Sequence, residues 1–366
     1  MNVLFIANHL NVGGISSYLF TLAGGLKERG HNVYVASSGG ELVDRFKNAG
    51  IIHIQAPLRT KSEVSPKIIV SFLKLSGRVR KLNIDVLHSN SRTTQVLGDL
   101  LSRYKGGICH VFTCHGFFKP KLSRRLFPCW GKAVIAISSQ VKEHLLLDFK
   151  LDEKKISVIN NGIDTASFGE FSARERIRRE LGVNDASLVG IIARLSDVKG
   201  HTYLLRAMRD VIKSFPSAKL LIVGEGKTGE ALVEEANDLG IKDKVIFLAQ
   251  AQNNRDMLAA MDVFVMPSLQ EGLGLALMEA MAQGLAVVGS SAGGIKTLIQ
   301  DNHNGLLVRP ADSAGLAQAV IKLLGDQQLR RELGMNARKF IMDNFSAEKM
   351  VAQTEGVYRK CLEKEG

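Results

Sequence analysis

Between Asp262 and Gly284 the chain reads as strand, glycine turn and helix in unbroken succession. Asp262-Val-Phe-Val-Met266 has the length and β-branched content of a buried strand. A polar turn follows Pro267, Gly272 and Gly274 loosen it, and a dense helix-forming run ends at Gly284. This order aims free backbone N–H groups at an anion, usually a phosphate. From Leu275 to Ala282 the helix is apolar on every side except at Glu279, so it should be buried all round. A lone carboxylate on such a helix needs a strong partner. Glu271 and Glu279 stand eight residues apart, roughly 12 Å along a helix. Two acids acting on one glycosidic bond sit about 5–9.5 Å apart. These two fit opposite ends of one elongated ligand better. The competing reading makes Glu279 a structural acid paired to a buried Arg and Glu271 a solvated loop acid.

The rest of the chain alternates strand and helix signals. Val3 to Ala7, Val33 to Ala36, Ile51 to Ile54, Asp85 to His88, Ile108 to Thr113 and Ala133 to Ile137 read as strands. Helical stretches such as Pro66–Leu82 and Thr93–Arg103 lie between most of them. Such alternation implies a parallel, doubly wound sheet. At 366 residues two domains are expected. The second begins after Asn160-Asn-Gly-Ile-Asp164: Leu188 to Ala193 is a strand, followed by Arg194-Leu-Ser-Asp-Val-Lys-Gly200 and a helix from His201. This restates the opening, where the strand leads through Gly13 and Gly14 into a helix. The expected division is 1–165 and 166–345, with a final helix, 346–366, crossing back to the first domain.

Arg194 and Lys199 flank a helix N-terminus, so a forked donor, a point charge and backbone amides can meet a diphosphate. Otherwise they are two solvated loop cations. Gly224, Gly226, Lys227 and Thr228 follow a strand, but Walker A needs Gly at position 221, where Leu stands, so an ATPase is excluded. The fingerprint GxGxxG is absent after the first strand, which weakens a nicotinamide or flavin reading. His115 ends a strand, where open α/β sheets place ligands. Cys109, Cys114, Cys129 and Cys361 form no CxxC pair and suggest no disulfide framework. With Cys109-His110 and Cys114-His115 on one strand facing opposite sides, no metal site is expected.

Several of these segments carry a resemblance. Glu271 to Glu279 resembles the E-x7-E signature of retaining, GT-B-fold glycosyltransferases of family 4. Arg194 to Gly200 matches the family's G-R-L-x-x-x-K-G except that Ala193 replaces its first Gly. Asn160 to Asp164, Gly224 to Gly226 and Asn304 to Val308 resemble further family turns. Lys296-Thr297 stands where relatives usually carry Pro-Glu, and Gly13-Gly-Ile-Ser16 departs from G-G-x-E. The resemblance implies two Rossmann-like domains facing a central cleft. It implies that Glu271 contacts the donor sugar and that Gly272, Leu273, Gly274 and Leu275 hold sugar and pyrophosphate. Glu279 would take the ribose hydroxyls. Gly13, Gly14, Gly224, Gly226 and Gln250 would line the donor site, and His115 would act near the reacting sugar. The expected enzyme is a retaining, metal-independent hexosyltransferase that uses a nucleotide-diphosphate sugar as substrate, UDP favoured and GDP next, with no cofactor. A GT-B-fold sugar-nucleotide epimerase is the alternative. A basic nucleic-acid-binding protein explains the charge but not the glycines.

That charge is one-sided. Residues 1–165 carry 23 Lys+Arg against 11 Asp+Glu, and residues 166–366 carry 25 of each, so the net +12 lies wholly in the first half. An anionic partner is expected there. Lys119, Lys121, Arg124 and Arg125 are interleaved with Phe117, Phe118, Phe127 and Trp130, and no acid falls among them. The Lys67–Lys81 helix adds more cations. Both suit an anionic membrane surface bearing a lipid-linked or cell-envelope glycan acceptor. No apolar run spans a bilayer and Met1 to Ala7 lacks a basic n-region, so a cytoplasmic, peripherally membrane-bound protein is expected.

Overall fold

The computed structural model describes every residue except 61, 120–123, 125–127, 250–252 and 364–366. The chain divides into two compact units, Met1–Ile163 with Ala347–Gly366, and Asp164–Ser346.

In the first unit seven strands form one sheet: β1 (Asn2–Ile6), β2 (Asn32–Ser37), β3 (Ile52–Gln55), β4 (Val86–Ser89), β5 (Cys109–Cys114), β6 (Ala133–Ala136) and β7 (Ile156–Val158). All pairings are parallel, in the order β3-β2-β1-β4-β5-β6-β7. The central strands are buried on both faces, which is why they read as unbroken apolar runs rather than as an alternation. One face is covered by helices Gly14–Glu28 and Ala347–Glu363, the other by Pro66–Lys81 and Arg92–Lys105. Helix starts follow the capping chemistry. Ser65 precedes Pro66 at the first helical position, and Ser91 forms a capping box with Thr94.

The second unit has six parallel strands: β8 (Leu188–Ile192), β9 (Lys219–Val223), β10 (Val245–Leu248), β11 (Val263–Met266), β12 (Ala286–Ser290) and β13 (Leu306–Val308). Their order is β10-β9-β8-β11-β12-β13. Relabelled from its own first strand, this repeats the opening six-strand order of the first unit. Both sheets are thus doubly wound, as the alternating sequence signals predict.

The last helix, Ala347–Glu363, belongs to the first unit. Ala347 N–H donates to Ile163 O, Tyr358 is fully buried, and Gly25, lacking Cβ, lets Val351 pack onto the first helix. The expectation of no disulfide is corrected. Cys109 of β5 and Cys361 of this helix form one, with Cα atoms 5.9 Å apart. Motif spacing gives no sign of it because the partners are 252 residues apart and the sheet and its covering helix bring them together.

Candidate active site

In an open parallel sheet the crevice forms beyond the carboxyl ends of two strands whose connections leave in opposite directions. In the second unit those strands are β8 and β11. The loops leaving them are Ala193–Gly200 and Pro267–Gly274, the two segments singled out by the sequence. Gly200 has φ 73°, and a Cβ there would strike Pro267 O, so glycine is what lets the two loops touch. Gly224 and Gly226 press similarly on the carbonyls of Ala193 and Leu195, bringing a third loop in. Gly293 and Gly294 close the other side against the carbonyls of Glu271 and Gly272.

Across this junction Lys199 Nζ lies 2.5 Å from Glu271 Oε2, with side chains 21% and 13% exposed. Ser268 Oγ donates to the same carboxylate oxygen at 3.4 Å. Arg194 is exposed and has no hydrogen-bond or ion-pair partner among the described residues. Its guanidinium therefore contributes charge without being committed to the protein. Beyond Leu273, which is buried, Gly274 (φ 101°) opens helix Leu275–Gln283 with no side-chain cap, so its first-turn amides are not used by a capping side chain. Two cations and an uncapped helix start now stand on adjoining loops, a combination suited to a diphosphate.

Glu279 departs from expectation. Among the described residues neither an ion-pair partner nor a buried Arg meets it. Its carboxylate accepts from Asn254 Nδ2 at 3.3 Å, and burial pushes its pKa up to about 7, moderated by that amide and by Arg255. A half-buried carboxylate served by one amide can still accept hydrogen bonds from a vicinal pair of hydroxyls. Asn254 was missed by motif reading, because its helix, Asn254–Ala260, meets Glu279 through tertiary packing. Also unforeseen are Ser196 Oγ, Thr228 Oγ1 and both ring nitrogens of His201, all buried without a hydrogen-bond partner among the described residues. Gln250 lies outside the described residues.

The first unit presents a different surface at its own reversal point, between β1 and β4. Gly13 and Gly14 are exposed at the N-terminus of the first helix. Asn8 Oδ1 accepts from Ser91 Oγ at 2.8 Å and Thr93 Oγ1 at 2.9 Å. His115, next to the end of β5, places Nε2 3.1 Å from Asn90 Oδ1. Asn90 Nδ2 donates to His88 O at 3.3 Å, which turns Oδ1 toward the imidazole. An amide oxygen only accepts, so Nε2 carries the proton and Nδ1 is the free acceptor. Burial pushes the His115 pKa down to about 3, so the ring is neutral at physiological pH. Behind it, His88 bonds Tyr358 at 2.5 Å and Thr113 at 2.6 Å, and Tyr18 sits edge-on to His115 with centroids 4.7 Å apart.

The cationic loop expected to face a membrane is built otherwise. Trp130 is only 7% exposed, packed between Phe112 and Phe149. Phe117 meets His144 edge-on, with ring centroids 5.3 Å apart. Arg124 pairs with Glu63 at 3.0 Å and lies over the Phe118 ring, while Lys119 is exposed. Lys121, Arg125 and Phe127 lie outside the described residues. Trp130 packs against β5 instead of projecting, which an acid-free, aromatic-rich string could not disclose. Among the described residues no group of three or more His, Cys, Asp or Glu could hold a metal ion, and no helix is long and apolar enough to cross a membrane.

The model of Glycosyltransferase Family 4 matches residues 12–167, and that of Glycosyl transferases group 1 matches residues 173–340. Alpha-maltose-1-phosphate synthase of Mycolicibacterium smegmatis is 31% identical, covering 75% of this chain and 79% of its own. The UDP-Gal:alpha-D-GlcNAc-diphosphoundecaprenol alpha-1,3-galactosyltransferase of Escherichia coli is 28% identical, over 80% and 79%. Among solved structures, Anabaena HepE in complex with UDP-glucose superposes with a TM-score of 0.87 at 22% identity, covering 98% of this chain and 100% of that one.

Proposed function

The chain belongs to the family 4, group 1 glycosyltransferases and has their GT-B fold, and from that premise we propose that it moves a hexose-type sugar from UDP to a lipid-linked or cell-envelope glycan, with retention and without a metal. The observation that carries this reading is the β8–β11 junction. Uncommitted Arg194, the Lys199–Glu271 pair and the uncapped start of helix Leu275–Gln283 lie on touching loops, with Glu279 one helix turn further on. A departing nucleoside diphosphate gains negative charge as the glycosidic bond breaks, and fixed cations and amides stabilise that charge more than the ground state. Here they would do so without a metal. Glu279 would hold the ribose hydroxyls and Glu271 the sugar. Retention would follow from front-face attack, as the resemblance to family 4 implies. His115 Nδ1 would accept from a sugar hydroxyl. UDP and a lipid-linked acceptor are favoured because the E. coli relative is named for UDP-Gal and a diphosphoundecaprenol acceptor, and the similar HepE structure holds UDP-glucose.

A thermal-shift panel over UDP-, GDP- and ADP-sugars tests the donor, since a ligand bound only by the folded state raises its melting temperature. Stabilisation by UDP-sugars first, and UDP release that requires acceptor and survives chelator, are the expected results. Nucleotide-sugar isomerisation without acceptor would make it an epimerase.

A further inference from the structure

The first unit carries a surface on helix Pro66–Lys81 that takes no part in either strand-end site. Its inward face is set by Ile68, Ser71, Leu75 and Val79, all buried. At 100° per residue the opposite pole falls on Pro66, Val70, Leu73 and Gly77, with Ile69, Arg80 and Lys81 at its margins. A solvent-facing pole is normally polar, yet here Ile69, Val70 and Leu73 are 62%, 51% and 68% exposed. Leu100 and Tyr104 of the adjoining helix Arg92–Lys105 extend the apolar surface, and Arg80 lies over the Tyr104 ring. Cations flank it: Lys67, Lys74, Arg78 and Lys81 line one side, and the helix has no acid. Asp99 on the neighbouring helix is already paired with Arg103.

We propose that this helix is the membrane-docking surface, lying in the plane of an anionic leaflet with Ile69, Val70 and Leu73 among the acyl chains and its cations at the headgroups. An interfacial helix combines an apolar stripe with a basic margin in this way. Each cation near an anionic leaflet strengthens binding roughly fivefold. A second copy of the chain fits less well, because self-association through this face sets cation rows against each other. The assignment rests on the lipid-linked acceptor reading, and of the two cationic segments it keeps this helix and drops the loop around Trp130.

Co-sedimentation of the whole protein with phosphatidylglycerol–phosphatidylcholine vesicles, without donor or acceptor, tests it. Wild type should pellet with these vesicles, stay in solution with pure phosphatidylcholine, and be released by high salt. The Lys74→Glu, Arg78→Glu pair should weaken partition by at least roughly 25-fold. Ile69→Ser with Leu73→Ser should weaken it at unchanged charge. Both pairs should keep the wild-type thermal shift with UDP-sugar, which shows an intact fold and donor site. Wild-type partition by either pair, or equal recovery on neutral vesicles, overturns the assignment. So does failure of wild type to pellet at all, the result an acidic protein partner would give. Failure of the acceptor reading looks different: vesicle binding persists while sugar is transferred only to soluble acceptors.

Discussion

Lys199→Met separates the two tasks that one ammonium group would have under the proposed function. In the ligand-free protein it removes the counter-ion of Glu271, 2.5 Å away, with both side chains mostly buried. Breaking a fully buried pair costs about 3–5 kcal/mol and an exposed one about 0–1, so a pair of this burial should fall near 1–2 kcal/mol. For a unit the size of Asp164–Ser346 that is a fall in melting temperature of roughly 2–8 °C. In the donor complex the same change deletes a charge-assisted hydrogen bond to the diphosphate, about 1.5–3 kcal/mol, so kcat/KM should drop roughly 10- to 150-fold. Adding Glu271→Gln removes the stranded carboxylate, which should restore most of the thermal stability but none of the turnover. Arg194→Ala is the control in the opposite sense. Its side chain has no partner among the described residues, so stability should change by less than about 0.5 kcal/mol while donor affinity falls. Melting curves, UDP titration calorimetry and steady-state kinetics on the four proteins decide the matter. A folded Lys199→Met with near wild-type kcat/KM, or a double variant that regains activity along with stability, would falsify the diphosphate role.

Glu279 has a folded-state pKa of about 7, raised by burial above its unfolded value near 4.5, so the folded state binds more protons between those values and stability falls as pH rises from about 4.5 to 7. Glu279→Gln should flatten that slope, gain at most about 3 kcal/mol at pH 8, and weaken UDP binding; an unchanged pH–stability curve counts against it. His115→Ala should leave UDP affinity intact and lower transfer roughly tenfold, and wild-type transfer should show no His115 titration between pH 5 and 8; unfolding of the variant would make His115 a packing residue. Cys361→Ser should lower the stability of the first unit by about 2–4 kcal/mol under oxidising conditions and make it insensitive to reductant, and equal melting with and without dithiothreitol in wild type argues against the disulfide.

The doubly wound architecture is legible because its punctuation is local. Apolar runs such as Val263–Met266, glycine turns and helix starts sit within a few residues of each other, and each loop that carries Arg194 and Lys199, or Glu271, directly follows its own strand. Lost to the sequence is what crosses between strands. Lys199 and Glu271 are 72 residues apart and meet only because β8 pairs with β11. Asn254 reaches Glu279, and Cys109 reaches Cys361, through helix packing of the same non-local kind. The short β7, three residues long, carries too little periodicity to declare itself. Trp130 misled because composition records which residues neighbour a cation, not which way a ring turns.

The two units repeat one strand order yet offer different chemistry at their reversal points, and the loops explain why. After β8 and β11 stand Arg194, Lys199 and Glu271, ionised groups that suit a phosphorylated ligand. After β1, β4 and β5 stand Asn8, Asn90, Ser91, Thr93 and a neutral His115, joined by hydrogen bonds of 2.8–3.1 Å. Such a set exchanges hydrogen bonds with hydroxyls and offers a diphosphate no compensating charge. The net +12 of the first half is therefore not concentrated on this cluster. Much of it lies on helix Pro66–Lys81, five cations without an acid, on a solvent-facing helix surface. Neutral polar groups at the strand ends and charge on an outer helix are what a domain needs if it meets a hydroxylated acceptor presented by an anionic surface.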